Sequence, residues 1–137
     1  MASFNKFNSF VEAVAEKVHN LGADTMKVML TNTAPTAANS VKTDITEISA
    51  GNGYTAGGTA TTITSSSQTS GTYKLVITDV VFTASGGSIG PFRYCVLYND
   101  TATNDELIGW YDYGSALTLL SGETLTVDFD ATNGVLQ

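Results

Sequence analysis

The spacing of apolar positions changes once along this chain, and that change divides it. Between residues 5 and 21, Phe7, Phe10, Val11, Val14, Val18 and Leu21 recur three and four apart, which predicts one N-terminal amphipathic helix with a single apolar stripe. Ser9 followed by Glu12 fits a capping box. Lys17 and His19 lie where the negative end of a helix favours cations, and Gly22 supplies a stop. From Asp24 onward the period is two. Met26, Val28 and Leu30 alternate with Thr25, Lys27 and Met29 in a first strand over 24–31. A polar loop over 32–43 follows, then a short apolar patch at Ile45 and Ile48. Tyr73, Leu75 and Ile77 lead into Val80, Val81 and Phe82, a strand over 73–83 that Asp79 divides with a bulge or turn. In the last strand, 124–130, Leu125, Val127 and Phe129 face inward, and Thr126, Asp128 and Asp130 outward.

The chain is organised around Ile89–Gly114, which holds its single Trp, its single Cys and four of its six Tyr. Two aromatic-rich runs, 92–98 and 107–113, flank the polar segment 99–106, the pattern of two antiparallel strands joined by a loop. Strict alternation puts Tyr94, Val96 and Tyr98 on one face, and sets Trp110 and Asp112 opposite Tyr111 and Tyr113. Aromatics thus fall on both faces, so one set is expected in the core and the other at a surface. Exposed Tyr and Trp mark interfaces. The candidate interface residues are therefore Tyr98, Trp110, Tyr111 and Tyr113, joined by Phe7 and Phe10 at the aromatic end of the helix. A sugar platform on Tyr98, Trp110 and Tyr111 is the competing reading.

Tyr54–Gly71 is nearly all Thr, Ser and Gly. It reads as one strand over 59–65 followed by a loop, with a flexible linker as the alternative. Having neither charge nor Pro, an exposed strand there would be an unprotected edge that a partner covers. With 116–120 as a further strand before the Ser121-Gly122 turn, seven or eight short strands follow the helix. That count predicts a mainly β single domain over 1–137: a helix over 5–21, then a two-sheet β-sandwich of jelly-roll or Greek-key type over 24–130.

Composition narrows the function classes. Charged residues make up 14% of the 137, against roughly 25% in typical globular chains, and Thr, Ser, Gly, Ala and Asn take their place. Net charge is −7, and six scattered Lys and Arg form no basic patch, so no direct nucleic-acid contact is expected. No apolar run is long enough to span a membrane, and residues 4–21 carry charges that a signal peptide would lack. Synthesis in a cytoplasm is the expectation.

Catalytic chemistry finds little support. Cys95, inside an apolar run, reads as a buried, inert thiol. His19, the only histidine, reads as a capping or surface residue, with no second imidazole to share a metal. No nucleophile elbow surrounds any Ser. The carboxylates of Asp100, Asp105, Glu106, Asp112, Asp128 and Asp130 read as a solvated face and loop ends. Asp128 and Asp130 share a strand face, which leaves a Ca²⁺ there open. Gly51–Gly58 lacks the Lys-Ser/Thr ending of a phosphate loop, so its glycines are expected to set turns. Neither enzymatic activity nor a cofactor is expected.

A resemblance supplies the functional expectation. GNGYTAGG at 51–58, FTASGGSIGPFRY at 82–94, LYND at 97–100 and LIGWYDYG at 107–114 resemble a group of small virion proteins of tailed bacteriophages, and the likeness continues through GET at 122–124 and VDF at 127–129. It runs over nearly the whole chain. The resemblance implies a capsid decoration, or cement, protein: a jelly-roll subunit on the capsid exterior that binds the major capsid protein. It also implies an oligomer, a homotrimer rather than a dimer. A tail, neck or fibre-associated subunit and a carbohydrate-binding module are the alternatives.

Overall fold

The alternating runs around residue 100 form the longest strand pair in the molecule. In the computed structural model, which describes residues 2–136, these are β7 (Ile89–Asn99) and β8 (Leu107–Leu119). The other elements are β1 (Phe4–Lys6), α1 (Ser9–Ala15), β2 (Met26–Thr31), a 3₁₀ turn (Lys42–Asp44), β3 (Thr59–Ala60), β4 (Ile63–Thr69), β5 (Thr72–Ile77), β6 (Val80–Thr83) and β9 (Thr124–Val127). The fold is mainly β, and every strand pair is antiparallel. A five-stranded sheet runs in the order β1-β8-β7-β2-β3, and two ribbons, β4-β5 and β6-β9, complete the set.

Both faces of the large sheet are covered. On one face Met26, Val28 and Leu30 of β2 and Cys95 and Leu97 of β7 join Leu75 and Ile77 of β5, Phe82 of β6 and Val127 of β9 in the main core. On the other, Phe7, Met29, Ile45, Val96, Tyr98 and Leu107 form a smaller cluster with Trp110 packed against it. This double burial explains why β2 has no solvent-facing row in its second half. A register shift between Leu97 and Tyr98 pairs them with Gly109 and Leu107 and leaves Ile108 as the extra residue. Leu107 and Trp110 thereby share the small cluster, while Ile108 enters the main core.

The expected helix over 5–21 is shorter in the structure. Residues 4–6 instead pair with Tyr111, Trp110 and Gly109 as the edge strand β1. The ring of Phe4 lies over Gly109, where a Cβ would sit 2.3 Å from its Cζ, and meets Tyr111 edge-on at 5.2 Å. Helix α1 covers only 9–15 and buries Phe10 and Ala13, while Val11 and Val14 stay exposed. Its N-cap is Asn8, without a side-chain cap bond, so the Ser9–Glu12 box does not form. Lys17, at φ 67°, ends the helical path well before Gly22.

Downstream, the strand expected over 59–65 divides into β3 and β4, and β4 continues to Thr69 through residues expected to be loop. Asp79 does divide 73–83, and the halves join different ribbons. Its carboxylate accepts from Phe129 N at 2.9 Å. The strand expected over 116–120 is the end of β8.

The Gly51–Gly58 run is a clamp for the loop over the small cluster. Glu47 accepts from Tyr54 OH and Gly57 N, both at 2.6 Å, and Tyr98 OH donates to the Gly57 carbonyl at 2.6 Å. Gly58, at φ 80°, passes so close to β2 that a Cβ would sit 1.8 Å from the Val28 carbonyl oxygen. Only glycine fits both the space and the torsion.

Candidate interaction surface

The six candidate interface residues separate by burial. Phe7 and Tyr98 are fully buried at 0% exposure, and Phe10 is buried at 8%. These three are core, which corrects their reading as surface. For Phe7 and Tyr98 the cause is the loop over 32–58, which covers the face of β7 that alternation alone leaves open, whereas Phe10 packs into the main core. Trp110 is half-buried against Phe7, with ring centroids 4.6 Å apart. Tyr111 is half-buried on the opposite face, between Phe4 and Phe129. Tyr113 alone is fully at the surface, 55% exposed. A sugar platform from Tyr98, Trp110 and Tyr111 is therefore absent: one ring is interior and the other two face opposite ways.

What the structure assembles instead is a notch beside Tyr111 and Tyr113. Strand β8 is paired by β1 only at residues 109–111, so beyond Tyr111 its outer edge has no ladder partner among the described residues. Strand β9 is likewise paired on one side only, by β6. Between these edges opens a largely apolar notch of about 170 Å³, walled by Tyr111, Tyr113, Leu125 and Val127. Cys95 lines it and Asp128 stands among its lining residues. Burial pushes the Cys95 thiol up to about 12, so it remains a protonated, unreactive wall at neutral pH. Burial first, then the carboxylates of Asp128 and Asp130, push the Tyr111 hydroxyl up to about 12. The field at the notch is negative, and none of the six Lys and Arg lines it.

A second edge, uncharged, lies at β4, whose residues 63–69 carry no charge and pair only with β5 among the described residues. From Ser66 to Thr72 this ribbon is exposed throughout.

The loop after β7 is ordered by its own polar groups. Asn99 is fully buried. Its Oδ1 accepts from Thr101 N at 2.9 Å and Ala102 N at 3.2 Å, and its Nδ2 donates to Asp24 at 2.7 Å and His19 Nδ1 at 2.9 Å. His19 is thus a buried residue at 6% exposure, stacked 5.3 Å from Phe10, rather than a surface cap. No sequence signal marked the pairing of Asn99 with His19, because its partners lie 80 residues apart.

Other carboxylates serve turns. Asp130 accepts from Thr132 N and Asn133 N, both at 2.8 Å, and Asp112 holds Arg93 through two bonds of 2.7 and 3.0 Å. These donors hold both carboxyls below the usual carboxylate range, the Asn133 backbone leading at Asp130 and the guanidinium at Asp112. Among the described residues no group of three or more His, Cys, Asp or Glu could hold a metal ion, and Asp128 with Asp130 makes none. Among the described residues no helix is long and apolar enough to cross a membrane. No protein-family profile, curated protein or solved structure matches the chain.

Proposed function

We propose that this chain is a structural virion subunit. In this reading it is a two-sheet β-sandwich of jelly-roll or Greek-key type that decorates a tailed-bacteriophage capsid and stabilises it by binding the major capsid protein, as a homotrimer. The motif resemblance supplies the virion class. The observation that carries the attachment role is that two of the strand edges without ladder partners among the described residues, 112–119 of β8 and 63–69 of β4, are nearly uncharged. They hold one charge between them, Asp112, and Arg93 neutralises it. Bare edges of this kind are aggregation hazards in a monomer and assets in a subunit that ends its life covered. Repetition over a shell multiplies weak contacts into firm attachment. Buried interface between capsid proteins then opposes the outward pressure of packed DNA.

The test uses capsids assembled without the protein. Purified chain is expected to co-sediment with them to a saturating ratio and to raise the temperature at which they break. Capsids that neither bind it nor change in heat and osmotic-shock resistance would end this reading.

A further inference from the structure

The geometry points to the notch between β8 and β9 as the seat of one lysine or arginine side chain presented by the protein partner. This inference rests on the reading of the chain as an attachment subunit and names the partner chemistry of one of its open edges. Three features select the occupant. First, size: at about 170 Å³ the notch lies below the roughly 300–1,000 Å³ of cofactor and ligand pockets, yet an apolar cavity of about 150 Å³ takes up benzene. It holds one side chain. Second, wall chemistry: Tyr111, Tyr113, Leu125 and Val127 suit a hydrocarbon stem, and the exposed Tyr113 ring offers a face to a cation. Third, charge: Asp128 is the one charged lining residue among the described residues, and Asp130 adds to the field at Tyr111. A purely apolar plug would desolvate Asp128 without pairing it, and an anion would be repelled. An alkyl stem ending in a cation satisfies wall and carboxylate together. The unpaired edge of β8 beside the notch is free to hydrogen-bond the extended segment that carries this side chain.

The probes are n-butylguanidinium and n-hexanol, titrated separately into isotopically labelled full-length chain and followed by NMR. Shifts are expected at Leu125 and Val127, with the guanidinium binding at least about threefold tighter, the range of an exposed ion pair. Asp128→Asn should abolish that advantage while leaving n-hexanol unchanged, and Tyr113→Ala should weaken both. Each substitution alters an exposed side chain, so the fold is retained. Absence of shifts in the notch, equal affinity of the two probes, or an advantage that survives Asp128→Asn overturns the inference. Failure of capsid binding with guanidinium binding intact removes the decoration reading alone. Capsid binding by a chain that ignores the guanidinium removes the notch alone.

Discussion

His19 couples one buried ring to the stability of the whole chain. Asn99 Oδ1 is committed to two backbone N–H groups, which fixes its amide as the donor to His19 Nδ1. The neutral imidazole therefore carries its proton on Nε2, and that buried N–H has no partner among the described residues. Burial lowers the His19 pKa below 6.5, against the smaller opposing pull of Glu106 and then Asp24. Because the folded state binds the proton more weakly than the unfolded chain, this contribution is fully present above pH 6.5 and is lost as the pH falls below it. The lowered carboxyls of Asp44, Asp112 and Asp130 act in a separate window, below their ordinary 3.8. Urea midpoints are thus expected to drop between about pH 7.5 and about pH 5.5, and His19→Gln should flatten that step. A midpoint that holds or rises on acidification contradicts this account.

Among the elements, the β4-β5 ribbon is held least. Its outer half is exposed throughout, and one ladder without a packed face is marginal in water. In the free protein, amides at Ser66–Thr69 should exchange with solvent at least about a thousandfold faster than those at Cys95–Tyr98, whose strand is paired on both sides and buried on both faces. Comparable protection of the two segments in the isolated chain would show that the ribbon is already covered. The same elements show what was legible in the sequence. Strands β2, β7 and β9 were, as short apolar runs bounded by turn residues, but alternation sets which side faces in only at β9, because β2 and β7 are buried on both faces. The end of the helix was not: its stripe continues past Ala15, but β8 draws residues 4–6 into a sheet edge and Lys17 turns left-handed. Nor was the burial of Phe7 and Tyr98, since it depends on a loop folding over their face through Glu47, Tyr54 and Gly57, contacts that no period encodes. At the candidate surface, Tyr111 and Tyr113 were legible as aromatics on one side of β8. The notch beside them needs β9, which is distant in sequence.

For the whole molecule, net charge sets opposite salt dependences for the two kinds of contact proposed. Each copy carries −7, so identical copies repel, and their association must rest on uncharged surface. Screening relieves that repulsion, since the Debye length shrinks from about 30 Å at 0.01 M to about 10 Å at 0.1 M. Self-association measured by sedimentation equilibrium should therefore strengthen across that range. Seating a basic side chain against Asp128 should weaken instead, because it draws on attraction between opposite charges. The signs discriminate between occupants. If the notch took a Lys or Arg from a second copy of this chain, salt would weaken trimer and notch together, and Asp128→Asn would dissociate the oligomer. A trimer that tightens with salt and survives Asp128→Asn assigns the notch to a different protein. In the proposed assembly, that division would let one surface hold the copies together while another attaches them to their support.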